Sequence, residues 1–379
     1  MSLGATVSAE QPASNPTDDI RVMVVDDSAV VRGLISRWLR ELPGIDVVAS
    51  HRNGRLAVKD VVSSDPDVVL LDVDMPEMDG LTALPQLLEA KSDIKVIMVS
   101  TLTARNAEIS LRALSLGAAD YLPKPESNRG VTTSADFRRE LCDKVVALGR
   151  PASAEVSSMR PDLSAVVGFK PGDGDTHFSL RRFNRVVPRI IVIGSSTGGP
   201  QALFALTKAI GGAIDDVPVV ITQHMPPTFT TILAEHVAKS CGRACKEAED
   251  GEIIMPGRIY VAPGARHLVL EEVDGSVCAK LDDSPPINFC KPSVDPMFRS
   301  AADIYGSSAL GIVLTGMGHD GCEGARAIAD AGGNVFAQDR GSSVIWGMPG
   351  AAVAAGVCCA VLPLPQIGPR TARALSGVV

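Results

Sequence analysis

Three stretches of this sequence each place a reactive side chain just past an apolar run. Residues 190–193 lead into Gly194-Ser195-Ser196-Thr197-Gly198-Gly199-Pro200, residues 217–222 into Gln223-His224-Met225, and residues 310–315 into Gly316-Met317-Gly318-His319-Asp320-Gly321. A serine pushed off the end of a strand, at a turn that opens a helix, stands among oriented backbone N–H donors. Those donors suit either a phosphate or the oxyanion of an acyl-transfer intermediate. A histidine and an aspartate at equivalent strand ends favour the second use, a Ser-His-Asp hydrolase. A separate acidic set stands near the N-terminus. Val24-Val25-Asp26-Asp27-Ser28 and Leu70-Leu71-Asp72-Val73-Asp74-Met75-Pro76 each end an apolar run in carboxylates, Ser100-Thr101 end another, and Pro123-Lys124-Pro125 a fourth.

Both sets require parallel sheets, where neighbouring strands bring their carboxyl ends to one edge and ligands bind there. Converging Asp26, Asp27 and Asp72 would repel one another unless a hard divalent cation neutralised them, and Mg²⁺ fits oxygen ligands. A metal, a lysine and a hydroxyl around one exposed carboxylate make a phosphoryl-transfer site, with Asp72 as acceptor. In the other set, Gly194-Ser195-Ser196-Thr197-Gly198 formally satisfies G-x-S-x-G, yet the chain order Ser196, His224, Asp320 differs from the Ser, Asp, His order of α/β-hydrolases. The expectation is a different fold with the same chemistry. His319 is a rival base to His224, and Asp320 is a rival N-cap for the helix that follows. Adjacent loop residues seldom point to one place, so one of His319 and Asp320 is expected to face away.

The elements that must position these residues follow from the pattern. Short apolar runs at 22–25, 47–49, 68–71, 96–99 and 119–122 alternate with amphipathic stretches such as 30–42 and 107–116, which predicts a (βα)5 parallel sheet covered on both faces. Residues 151–186 are rich in Pro, Gly, Ser and Asp with little periodicity and read as a linker. From 187 a second βα alternation begins, with hairpin-like segments around 257–270. The expected organisation is a disordered tail over 1–20, a first domain over 21–139, a linker over 140–187, and a second, doubly wound α/β domain with a mostly parallel sheet over 188–379.

Composition narrows the function. The chain has 379 residues, 45% hydrophobic and 21% charged, which fits globular domains, and a formal charge of −8 with 4% aromatic residues argues against a nucleic-acid binder. The eight cysteines are scattered without C-x-x-C pairs, as expected of thiols in a reducing cytoplasm. No secretory leader pattern is present, and no apolar run approaches the about 20 residues that span a bilayer. A cytoplasmic protein with no membrane insertion is expected.

Two resemblances rest on these motifs. V-V-D-D-S, L-L-D-V-D-M-P-E-M-D-G and Y-L-P-K-P resemble a response-regulator receiver domain over about residues 21–139. The resemblance implies Asp72 as the phosphorylated residue. Asp26, Asp27 and the backbone carbonyl of Asp74 would form the Mg²⁺ neighbourhood, Ser100 (rather than Thr101) the switch hydroxyl, and Lys124 the phosphate partner. I-G-S-S-T-G-G-P, Q-H-M-P-P, V-A-P-G-A-R-H-L, K-P-S-V-D-P-M-F and L-T-G-M-G-H-D-G resemble the catalytic domain of the chemotaxis receptor methylesterases, the CheB family, over about residues 189–364.

That second resemblance implies Ser196 as nucleophile, His224 as general base and acid, and Asp320 as the group holding the imidazole. The backbone amides of Thr197 and Met317 would form the oxyanion hole. Position 319 departs from the many relatives that carry Asn there. The implied reaction is hydrolysis of receptor glutamate γ-methyl esters, with deamidation of receptor glutamines, under control of a histidine kinase. No cofactor is expected for hydrolysis, and the protein is expected to be a monomer. Two other readings stay open on the residues alone: a degenerate module that only docks on receptors, and a small-molecule esterase under receiver control.

Overall fold

The computed structural model describes residues 19–101, 103–125, 134–149 and 179–377. Residues 1–18 of the expected tail and 150–178 of the expected linker lie outside that set. In the first half, strands β1 (Ile20–Val25), β2 (Ile45–His51), β3 (Val68–Asp72), β4 (Lys95–Thr101) and β5 (Asp120–Lys124) form a five-stranded sheet in the order β2-β1-β3-β4-β5. Every pairing is parallel. Runs such as Val68–Asp72 are buried along their whole length, as strands covered on both faces must be.

Helices α1 (Ala29–Arg40), α2 (Gly54–Ser64), α3 (Gly80–Ala90), α4 (Ala104–Ser115) and α5 (Ala135–Gly149) cover the sheet. The first four begin at side-chain caps, Ser28, Asn53, Asp79 and Thr103, each accepting from a first-turn backbone N–H. α5 buries Phe137, Leu141 and Val145 and sets Phe137 edge-on to Trp38 of α1. The boundary expected at residue 139 therefore falls inside a helix, which continues to Gly149.

The second half is a seven-stranded sheet in the order β14-β13-β12-β6-β7-β9-β8. Its strands are β6 (Ile190–Ser195), β7 (Val219–Gln223), β8 (Cys245–Glu247), β9 (Ile259–Val261), β12 (Ala309–Val313), β13 (Asn334–Gln338) and β14 (Ala360–Leu362), all paired in parallel. Around them run α6 (Gly199–Ile210), α7 (Phe229–Cys241), α8 (Val294–Tyr305), α9 (Cys322–Asp330), α10 (Met348–Ala354) and α11 (Leu364–Leu375). The hairpin is β10 (His267–Val273) with β11 (Ser276–Asp282), later in the chain than expected, while β9 joins the main sheet. β6 lies centrally, β7 on one side and β12 on the other, so the strand order reverses at β6. Such reversals are where open α/β sheets bind ligands.

The first domain leans on the second through α4, which packs against α6 and α7. Gln201 Nε2 of α6 donates to the carbonyls of Leu114 and Ala118 (3.2 and 2.7 Å), and the Tyr121 ring stacks on Phe229 with centroids 4.6 Å apart. No helix among the described residues is long and apolar enough to cross a membrane.

Candidate functional site

Ser196, His224 and Asp320 lie beyond the carboxyl ends of β6, β7 and β12, three adjacent strands. The serine turn is compact because its residues are small. Gly198 has φ +74°, and a Cβ on Gly316 would sit 2.4 Å from Met348 Sδ and 2.8 Å from Ser196 Cβ. Only glycine lets the loop after β12 approach the serine so closely. Ser196 N donates to Thr315 O (3.0 Å), and His224 N donates to Ser195 O (3.1 Å), which ties the three strand ends together. The backbone amides of Thr197 and Met317 donate to no partner among the described residues, as donors kept for a ligand would be.

The Asp320 carboxylate is buried and accepts from four groups. His224 Nε2 lies 2.7 Å from Oδ2, Val294 N donates to Oδ2 (2.7 Å), Ser293 Oγ donates to Oδ1 (2.7 Å), and Asp295 N donates to Oδ1 (3.3 Å). Burial works toward the neutral carboxyl, but His224, the Val294 amide and the Ser293 hydroxyl hold Asp320 below its ordinary value. Asp320 does not cap α9, whose N-cap is Gly321, and His319 points outward, exposed. The imidazole of His224 has a second neighbour, Cys290 Sγ, 3.4 Å from Nδ1. Burial opposes its protonation, yet Cys290 and Asp320 together push it up. No hydrogen bond joins the Ser196 hydroxyl to His224 among the described residues. Catalytic hydrogen bonds are often long before substrate binds.

Sequence reasoning missed the supports. Gln223 accepts from Ser195 Oγ (2.6 Å) and donates from Nε2 to Ser196 O (3.0 Å), pinning the turn from both sides. Ser293 and Cys290 come from the segment before α8. Thr197 Oγ1 donates to Asp120 Oδ2 of the first domain (2.7 Å), and Lys144 pairs with the same oxygen at 2.9 Å. The only prior signal for any of these was proximity to a strand end, which Gln223 and Asp120 share.

In the first domain Asp26, Asp27 and Asp72 offer carboxylate oxygens within 4.8 Å of one another. Lys124 Nζ reaches Asp26 at 2.6 Å and Asp72 at 2.8 Å. Burial pushes Asp72 up to about 6 against the pull of Lys124, and Asp26 and Asp27 add to the rise. Crowded hard oxygens with an uncompensated negative charge fit a divalent cation such as Mg²⁺. The Asp74 side chain is engaged elsewhere, accepting from Asn106 Nδ2 (3.1 Å). Ser100 Oγ lies 3.0 Å from Ser110 Oγ on α4, and Thr101 Oγ1 accepts from Asn106 (2.7 Å).

Residues 191–371 match the CheB methylesterase family and residues 22–135 the response regulator receiver domain. The chain is 53% identical over 377 residues to a protein-glutamate methylesterase/protein-glutamine glutaminase of Rhodopseudomonas palustris, across 97% of this chain and 98% of that one. It is 49% identical over 394 residues to a protein of that name from a group 2 operon of Bradyrhizobium diazoefficiens, across 100% and 99%. Among solved structures it is similar to the catalytic domain of the Thermotoga maritima CheB methylesterase, at 41% identity and a TM-score of 0.48, covering 50% of this chain and 99% of that one.

Proposed function

Since this chain belongs to the CheB family of protein-glutamate methylesterases, we propose that it hydrolyses glutamate γ-methyl esters on chemotaxis receptors, releases methanol, and deamidates selected receptor glutamines. The carrying observation is the His224–Asp320 pair at 2.7 Å, set beside the Ser196 turn and the undonated amides of Thr197 and Met317. Ser196 Oγ attacks the ester carbonyl and its proton passes to His224 Nδ1, the nitrogen that Asp320 leaves available. The oxyanion rests on the Thr197 and Met317 amides. Methoxide departs with the proton from His224, and a water activated by the same nitrogen hydrolyses the acyl-serine. A glutamine side chain passes through the same acyl-enzyme with ammonia as leaving group.

The receiver half governs this chemistry by accepting a phosphoryl group on Asp72 from a chemotaxis histidine kinase. Asp26, Asp27, Asp72 and the Asp74 carbonyl would hold Mg²⁺, which when bound offsets the charge on the transferring phosphoryl oxygens. Lys124 pairs with the phosphate and Ser100 turns toward it. The protein works in the cytoplasm as a monomer on receptor helices.

Methanol release from radiolabelled methylated receptor membranes tests the first half. Ser196→Ala should lower it on the order of 10⁴-fold or more without unfolding the chain, and a variant keeping a tenth of the rate would remove Ser196 from the role. The receiver half is tested by labelling from a small phosphodonor, which should require Mg²⁺ and vanish in Asp72→Asn. Proton and cation compete for Asp72, so calorimetric Mg²⁺ affinity should weaken as pH falls through about 6. An affinity flat from pH 5 to 7.5 would count against Asp72 as a ligand.

A further inference from the structure

Cys290 closes a four-residue turn at the mouth of the hydrolytic site. Ile287 and Cys290 exchange both backbone hydrogen bonds (3.1 and 2.8 Å), and the two residues between them, Asn288 and Phe289, have φ of 50° and 63°. Such turns ordinarily carry Asn-Gly, and a phenylalanine in the second position is strained. Phe289 is 82% exposed, with the Arg139 guanidinium of the receiver helix α5 lying 4.5 Å from its ring centroid. This tight turn fixes the half-buried Cys290 thiol against the catalytic imidazole.

The result is a second complete constellation. Cys290 Sγ stands 3.4 Å from His224 Nδ1, and Asp320 holds the opposite nitrogen at 2.7 Å. Nucleophile, base and orienting carboxylate have the relation that activates thiols in cysteine hydrolases. As the sulfur attacks an electrophile the ring can take the thiol proton, and Asp320 at 2.7 Å balances the imidazolium that forms. The seven other cysteines lack this arrangement: none has a hydrogen bond to an imidazole among the described residues. Burial pushes Cys245 and Cys358 up to about 12 and Cys359 to about 11.

Resting on the methylesterase reading, we propose that Cys290 is a peroxide-sensitive thiol whose oxidation switches the esterase off by taking His224 away from Ser196. The sulfur attacks one peroxide oxygen, an S–O bond forms and the O–O bond breaks. Sulfur loses two electrons to the peroxide, the second oxygen leaves as hydroxide, and that hydroxide takes the proton carried on His224 Nδ1 to become water. The resulting sulfenic acid stands against the nitrogen that Ser196 needs as its base. A dithiol reverses the step: it displaces water to form a mixed disulfide, and its second thiol then frees Cys290.

The test treats the full-length protein with hydrogen peroxide, tags sulfenic acid with a dimedone reagent, and maps the tag by mass spectrometry beside methanol release. Cys290 should be tagged at least tenfold faster than any other cysteine. Methanol release should fall at least tenfold and return with dithiothreitol. Cys290→Ala should keep its own untreated rate after peroxide, and His224→Gln should slow tagging of Cys290 about tenfold. Uniform tagging, inhibition unchanged in Cys290→Ala, or an active enzyme indifferent to peroxide would overturn the proposal. If the untreated protein released no methanol, the esterase reading would fail, and the tagging pattern would by itself decide whether Cys290 is an activated thiol.

Discussion

Asp320 carries two burdens that Ser196 does not. Besides orienting His224 it accepts from Ser293 and from the amides of Val294 and Asp295 at the start of α8. Asp320→Asn should lower methanol release by about 10³–10⁴-fold through the wrong imidazole tautomer, and should also lower the melting temperature, whereas Ser196→Ala should leave it unchanged. Because the folded carboxyl is held below its ordinary value, its contribution to stability is present above the unfolded carboxylate range and is lost as pH falls through the folded value. An Asn variant with full thermal stability at pH 7 would show that those hydrogen bonds matter little. The strand-end position of Asp320 was legible, and burial decides which of the two neighbours faces away: Asp320 is inside and His319 faces water. Cys290 was not legible at all. Its meaning lies in a contact with a residue 66 positions away, and nothing in the local pattern encodes that.

Whole elements were easier to read than their partners. Each apolar run became a strand, since fully buried parallel strands write themselves as continuous Val, Ile and Leu. The hairpin was misplaced, although Asp274-Gly275, at φ 50° and 76° between alternating residues of β10 and β11, is the stronger hairpin signal. The loop after β12 shows how an element sets chemistry. Gly316 allows that loop to press on the serine turn, and an added methyl would meet Met348 Sδ at 2.4 Å and Ser196 N at 3.0 Å. Gly316→Ala should therefore shift the Met317 amide away from Ser196, lowering kcat about 10–100-fold, while overpacking costs about 1–3 kcal/mol of stability. Steady-state kinetics and denaturant unfolding check both; a change confined to KM would mean that the amide does not serve the transition state.

At the scale of the molecule, the receiver packs on the turn that carries the proposed nucleophile. Thr197, next to the proposed nucleophile, is buried with its hydroxyl on Asp120, and Asp120 is in turn held by Lys144 within the receiver. Lys124, which reaches Asp72, lies on the same strand β5 as Asp120 and Tyr121, so a change at the proposed phosphorylation site has a short rigid path to this seam. Coupling of about 1–3 kcal/mol is typical of such switches and corresponds to about 5–150-fold in population. A catalytic fragment should accordingly outperform the unphosphorylated full chain on methylated receptor, and a phosphodonor should raise the full chain alone. The fragment should start near residue 180 rather than at Val187. Phe183 stacks on Phe336 with centroids 6.1 Å apart, and the Asn184 side chain donates to the carbonyl of Gly332, so a cut at Val187 would remove anchors of the second domain itself. Asp120→Ala in the full chain should move its basal rate toward that of the fragment. Equal basal rates for fragment and full chain would rule out occlusion and leave the receiver to act by bringing the enzyme to its receptors.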